Sequence, residues 1–197
     1  MPNYYKKGEE KFGFFMSLLY LVGLRFHDIQ EFYRFVVDDL SKTHVKDLLD
    51  IGTGPAQVPI MLRRSGRVEH IYAIDPSMHM VRIARLKTRG LDIVVKLGSS
   101  RKVPFNRKFD MIITTLSFHH WADRNASLEY LSDFLKNGGE IRIYEFERSS
   151  LSGLGRRFAS SHSVSGEELT AAGKACNLKV KRIVRRKGFI NATFSRV

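Results

Sequence analysis

The sequence predicts an α/β fold in which short apolar strands alternate with helices about a mostly parallel sheet, and three observations predict it. Residues 45–57 read as an apolar strand running into the turn Asp50-Ile51-Gly52-Thr53-Gly54-Pro55-Ala56-Gln57. A second strand follows and ends on an acid, Asp75, so strand, glycine turn, helix, strand and carboxylate come in the order a nucleoside-cofactor site uses. Finally, 197 residues with 43% hydrophobic content suffice for one core without metals or disulfides.

The elements can be justified in chain order. Residues 12–24 form the most apolar stretch, but they fall short of the roughly 20 residues a membrane-spanning helix needs. They read as a core or lid helix with Phe12, Phe15, Leu19 and Val22 on one face. Residues 1–40 are accordingly expected to form an N-terminal helical cap, and residues 41–197 the main domain, in one compact unit. No small-residue cleavage pattern follows the stretch, which argues against a signal peptide. Phe26, Ile29, Phe32, Tyr33, Val36, Val37 and Leu40 recur at helical spacing and should pack on the sheet. Helices are expected over 58–64 and 78–87, strands over 71–75, 93–97 and 109–116. A helix over 128–135, stopped by Asn137-Gly138-Gly139, should lead into a strand over 140–146. Ser165 with Glu168 three residues on is a capping box ahead of a helix over 169–175. Residues 179–186 and 189–196 then make a hairpin turning at Lys187-Gly188. The lone Cys176 has no intrachain partner, which suits a reducing, cytoplasmic setting.

The glycine turn carries the chemistry. Gly52 and Gly54 lack Cβ, so the chain can turn sharply and admit a ligand to its backbone. Thr53 or Gly54 is expected to cap a helix that Pro55 opens. Asp75 sits where a carboxylate accepts both hydroxyls of a ribose. A dinucleotide fingerprint requires a third glycine where this chain has Gln57, and Asp50 would repel a pyrophosphate lying on the turn. An ammonium group would suit Asp50 instead. With Ala56 as the small residue after the two glycines, the turn resembles the first motif of the class I S-adenosylmethionine-dependent methyltransferases. The resemblance covers roughly residues 47–146 and includes Val103-Pro104-Phe105, the strand Phe109-Asp110-Met111-Ile112-Ile113-Thr114-Thr115-Leu116, and Ser117-Phe118-His119-His120-Trp121. That last run is similar to the small-molecule branch typified by quinone-biosynthesis methyltransferases.

The resemblance implies a Rossmann-like, seven-stranded sheet, mostly parallel with an antiparallel last strand, and helices on both faces. It implies S-adenosylmethionine as the cofactor and assigns its contacts. Asp50 serves the ammonium side, Gly52, Thr53 and Gly54 the close approach, and Asp75 with Pro76 the ribose. Ser99 and Ser100 border the adenine, and Thr115 and Leu116 line the exit of the fourth strand. Ser99 stands where the family commonly has an acid, so the adenine amine loses a charged acceptor there and backbone groups of Ser99 and Ser100 are expected to take over. His119 and His120 have two readings, as pocket walls or as the base that takes a proton from the methyl acceptor. No His, Cys and Asp cluster has zinc-like spacing, so no catalytic metal is expected.

The net charge of +13 thickens at Arg63, Arg64 and Arg67, at Arg82, Arg85, Lys87 and Arg89, at Arg148, Arg156 and Arg157, and along 179–187. Such density suits phosphates in nucleic acid, an acidic small molecule or a membrane surface, and equally a solvated surface. The expected acceptor is a small molecule held between the His119–Trp121 loop and the segment 145–157. An RNA or protein acceptor is the alternative. Two nucleic-acid routes are disfavoured. The fourth-strand exit lacks an Asn/Asp-Pro-Pro-aromatic run, and Cys176 lies far from the strand ends where a cytosine-attacking nucleophile belongs.

Overall fold

A computed structural model describes residues 26–148 and 163–197. The apolar stretch at 12–24, with the lid expected there, and Arg156 and Arg157 lie outside the described residues. The first described element is α1 (Phe26–Leu40), followed by β1 (Val45–Ile51), α2 (Gln57–Ser65), β2 (Val68–Asp75), α3 (Met78–Lys87) and β3 (Ile93–Leu97). β4 (Phe109–Thr115), a 3-10 turn (Phe118–His120), α4 (Arg124–Ser132) and β5 (Leu135–Phe146) come next. The described chain closes with α5 (Gly166–Ala175), β6 (Leu178–Arg186) and β7 (Phe189–Arg196).

The seven strands form one sheet in the order β3-β2-β1-β4-β5-β7-β6. β1 to β5 pair in parallel, and β7 runs antiparallel to both β5 and β6. One face carries a core built with α1, α2 and α3 through Phe32, Val36, Leu62 and Val81. The other is covered by α4 and α5 through Leu128, Leu131 and Leu169. The order reverses between β1 and β4, and a cofactor belongs in the crevice beyond the strand ends at that switch.

The helical stripe of α1 packs on the sheet as its spacing predicts. Phe32 meets Phe146 and Phe189 at 5.5 and 5.4 Å between ring centroids. Phe35, outside the predicted stripe, is also buried and meets Tyr144 edge-on at 6.0 Å. At the helix end, the buried Asp39 accepts hydrogen bonds from Tyr144 Oη at 2.8 Å, Arg142 Nη1 at 3.2 Å and Arg182 Nη2 at 2.7 Å. Much of the C-terminal positive charge is used in the same way. Lys181 pairs with Glu140, Arg185 with Glu147, Arg186 with Asp38 and Lys187 with Glu31, so β6 and its turn are stitched to α1 and β5.

Three expectations are corrected. α2 begins at Gln57, not at Pro55, because Thr53, Gly54 and Pro55 form a turn closed by Ala56 N–H on Thr53 O at 3.0 Å. Its N-cap is Ala56 with φ 59° and no side-chain cap. α4 starts at Arg124, ahead of the predicted 128, because Asp123 Oδ1 accepts from Ala126 N–H at 2.9 Å. Asn137-Gly138-Gly139 does not end that helix but lies within β5, where the register jumps from Phe109↔Leu135 to Met111↔Glu140. Gly138 has φ 76°, and a Cβ on Gly139 would lie 3.0 Å from Phe109 O, so the two glycines let surplus residues bulge out of the ladder. The capping box at Ser165 and Glu168 is present. No described helix is long and apolar enough to cross a membrane.

Candidate functional site

β1 delivers Asp50 to the sheet end with both neighbours paired, and the chain leaves through Gly52 (φ 72°) and Gly54 (φ 52°). The backbone amides of this turn are spent inside the protein. Gly52 N–H and Thr53 N–H both donate to Ile74 O, at 2.9 and 3.0 Å, and Gly54 N–H donates to Asp75 Oδ2 at 2.9 Å. A pyrophosphate cradle needs such amides turned towards the ligand, and here they are not available. Gly54 nevertheless faces space, since a Cβ there would meet nothing within 4 Å. Gly52 is needed for a different reason, because a Cβ would run into the Ser117 side chain, 2.7 Å from its Cβ. The turn after β1 and the loop after β4 are thus jammed together.

Asp50 is fully buried, and neither of its oxygens meets hydrogen-bond geometry with any group among the described residues. Burial pushes its carboxyl up to about 7, with the nearby Thr53 hydroxyl pulling the other way and the charge of Asp75 adding to the rise. A buried carboxylate with no more than one hydroxyl beside it is expensive, and a cationic ligand would offset that cost. Asp75, at the end of β2, is raised to about 6 by burial against the opposing pull of the Ser77 and Gly54 amides. Its Oδ1 accepts from Ser77 N–H at 2.8 Å, so this one carboxylate ties the glycine turn to the start of α3. Pro76 follows it, and Ser77 caps α3 through Met80 N–H at 3.4 Å.

At the expected adenine end, Ser99 and Lys102 exchange backbone hydrogen bonds at 3.1 and 3.0 Å, so both backbone groups of Ser99 have a partner within the protein. The Ser99 hydroxyl accepts from Arg101 N–H at 3.4 Å and keeps its own proton to give. Ser100 Oγ lies 3.0 Å from Ser127 Oγ, turned towards α4. Thr115 ends β4, and Leu116 takes the left-handed conformation at φ 48° while its N–H donates to Tyr144 O at 3.0 Å. Leu116 and Ala56 are two non-glycine residues held at positive φ around this cleft, the strained backbone that a rigid surrounding maintains at functional sites.

His119 and His120 follow in the 3-10 turn, their ring centroids 3.9 Å apart and their planes tilted by 49°. Trp121 Nε1 donates to Ser117 Oγ at 3.4 Å, and Arg124 Nη2 donates to His119 O at 3.1 Å. Two participants were not read from the sequence as site residues. Tyr33, assigned there to the packing stripe, has its hydroxyl raised by burial and then by the charge of Asp50, which puts α1 beside the cleft. Glu145 accepts from the His119 backbone N–H at 3.3 Å, and its place as an acid within the apolar run Ile143-Tyr144-Glu145-Phe146 is a signal of burial that sequence reading passed over. Arg148, in the segment expected to frame the acceptor, donates to Glu168 Oε1 at 2.7 Å and Ser163 O at 2.6 Å. No cluster of His, Cys, Asp and Glu among the described residues could hold a metal ion.

A mostly parallel sheet with its switch point between β1 and β4, a glycine turn whose amides are engaged and two buried acids are the features comparison with known proteins has to account for. Residues 49–143 match the model of a methyltransferase domain. The chain is similar to an uncharacterized methyltransferase of Staphylococcus carnosus, 30% identical over 122 residues, covering 61% of this chain and 56% of the relative. It is similar to the demethylmenaquinone methyltransferase of Thermotoga maritima, 29% identical over 111 residues, covering 56% of this chain and 48% of the relative. The chain thus spans about half the length of these curated relatives. Among solved structures, an S-adenosylmethionine-dependent methyltransferase from Aquifex aeolicus shares the fold with TM-score 0.70 at 21% identity, covering 84% of this chain and 89% of that one. Over residues 49–143 the chain is therefore similar to methyltransferase domains, and its fold is that of S-adenosylmethionine-dependent methyltransferases.

Proposed function

We propose that this protein transfers a methyl group from S-adenosylmethionine to a small-molecule acceptor. The observation that carries the cofactor reading is the pairing of a glycine turn whose amides are engaged with the buried Asp50, which has no donor beside it among the described residues but the nearby Thr53 hydroxyl. A ligand presenting an ammonium group satisfies Asp50, whereas a pyrophosphate finds neither amides nor a counter-charge there. Asp75 would hold the ribose diol, Gly52, Thr53 and Gly54 the close backbone approach, and Pro76 the turn behind it. The Ser99 hydroxyl, Ser100, Thr115 and Leu116 would border the adenine and the transferring end. The bound cofactor supplies a methyl group already activated on a sulfonium, so the chain's task is positioning and exclusion of water. The loop bearing His119 and His120, wedged on Gly52 through Ser117, would form the wall on which the acceptor is aligned.

A small-molecule acceptor is supported by the similarity to the Thermotoga maritima demethylmenaquinone methyltransferase. An RNA acceptor draws support from the exposed basic residues of α3, Arg82, Arg85 and Lys87, and the adjoining Arg89. Incubation with methyl-labelled S-adenosylmethionine and fractionated cell extract separates the two. Label in nuclease-resistant small metabolites supports the first reading, and nuclease-sensitive label replaces it with the second.

A further inference from the structure

β2 and β3 have two unlike faces. Ile71, Ala73, Ile93 and Val95 enter the core shared with α2 and α3, so strand alternation turns His70, Tyr72, Val94 and Lys96 to the opposite side. The register sets Val94 beside Tyr72 and Lys96 beside Ile74. No described helix joins β3 to β4. The connection 98–108 crosses this side instead, and its Phe105 meets Tyr72 edge-on at 5.1 Å between ring centroids. Val94 keeps 39% of its surface exposed, His70 and Lys96 are exposed, and both rings are half-buried. Each ring carries a cation. Lys96 Nζ lies 4.7 Å from the Phe105 centroid, and Arg107 Cζ lies 4.5 Å from that of Tyr72. These cations are only lightly held. Lys96 Nζ has Pro104 O at 3.5 Å and no carboxylate among the described residues. Arg107 Nη1 stands 3.6 Å from Asp47 Oδ1, while the other oxygen of Asp47 is taken by Lys136 at 2.6 Å. Lys108 adds an exposed charge with no ion pair among the described residues.

Rings, cations laid over them and a single small apolar side chain on an uncovered sheet face suit a strand of phosphates and flat bases. Phosphates answer the cations, and a base stacks on a ring or on a guanidinium that lies over one. A bilayer is the poorer partner, because interfacial anchoring needs large apolar side chains free to enter the lipid, and here both rings have cations over them. We infer that the β2–β3 face is a docking platform for single-stranded nucleic acid, with Lys96, Arg107 and Lys108 on the phosphates and Tyr72 and Phe105 behind the bases. The platform is a place of attachment and not the acceptor site, and it stands whichever molecule receives the methyl group. The other exposed cluster, Arg82, Lys87 and Arg89, is charge alone, since α3 carries no Phe, Tyr or Trp.

Fluorescence anisotropy with labelled oligouridylate and oligothymidylate of about a dozen nucleotides tests the platform on the full chain. The wild type should bind, and the triple variant Lys96→Ala, Arg107→Ala, Lys108→Ala should bind at least about tenfold more weakly, with the slope of log Kd against log salt smaller by about two. The control triple Arg82→Ala, Lys87→Ala, Arg89→Ala removes the same charge and should cost less than about threefold. Arg107 also faces Asp47, so Val94→Glu serves as a second probe. It sets a carboxylate beside Tyr72 at an exposed edge position, and it should weaken binding by at least about tenfold with an unchanged urea midpoint. Inorganic polyphosphate, which has the charge without the bases, should displace the strand less well than unlabelled oligouridylate at equal phosphate concentration. A wild-type chain that binds neither strand overturns the inference. So do equal losses in the two triples, an unchanged affinity in Val94→Glu, or equal competition by polyphosphate, each of which reduces the face to bulk charge. Vesicles of anionic phospholipid bound more tightly than the oligonucleotides, and released by Val94→Glu, would make it a membrane surface and overturn it as well.

Discussion

Two carboxyls give the cleft a pH dependence that can be followed residue by residue. Unfolded, Asp50 and Asp75 titrate near 3.8; folded, burial raises them to about 7 and about 6. Between those values the folded protein holds protons that the unfolded chain has released, so the stability they contribute is fully present below about pH 4 and is lost as pH rises through 6 and 7. Asp50→Asn removes the buried charge and should stabilise the ligand-free protein at pH 8 by about 1–3 kcal/mol in urea unfolding, with a smaller gain at pH 5 and none below about pH 4. The same variant should weaken S-adenosylmethionine binding, the signature of a group kept for function against stability. Ala56 makes a second case. Its φ of 59° is a conformation glycine adopts without strain, so Ala56→Gly should raise stability by about 0.5–1 kcal/mol, measured by the shift in urea midpoint.

Among the elements, legibility followed local signals. α3 and β3 matched the predicted bounds because Ser77 and the flanking glycines punctuate them, and the capping box at Ser165 and the Lys187-Gly188 turn were read correctly for the same reason. The start of α4 was missed since its cap, Asp123, precedes a polar stretch with no apolar period. The Asn137-Gly138-Gly139 run was misread because a glycine pair stops a helix and relaxes a strand bulge equally well, and only pairing with Phe109 and Met111 decides between them. At the sheet end, the positions of the glycine turn and of the acid closing β2 were legible from spacing. Glu145 and Tyr33 were not, because their roles come from non-neighbouring strands and from a helix laid across the sheet. The junction of α1, β5 and β6 at Asp39 is another such contact. Burial raises the Asp39 carboxyl, but hydrogen bonds from Tyr144 and Arg182 and the charges of Arg182 and Arg142 outweigh it and hold it below its ordinary value. Asp39→Ala leaves Arg142 buried with a partner missing and should destabilise the protein by about 3 kcal/mol in urea unfolding. A loss below about 0.5 kcal/mol would show that the network relaxes to water.

For the whole molecule, the +13 charge is less free than its total suggests. The cations of β6 and its turn are largely held by Asp38, Asp39, Glu31, Glu140 and Glu147, so the density read from the sequence along 179–187 fastens a helix to a sheet edge. The central claim is that the cleft beyond β1 and β2 takes S-adenosylmethionine and not a dinucleotide. Isothermal titration of the wild-type chain and Asp75→Ala with S-adenosylmethionine, and of the wild type with NAD, tests it most directly. One S-adenosylmethionine per chain, weakened by about 1–3 kcal/mol in Asp75→Ala and bound more tightly than NAD, is the predicted result. Tighter binding of NAD, or an affinity for S-adenosylmethionine that Asp75→Ala leaves unchanged, would contradict it.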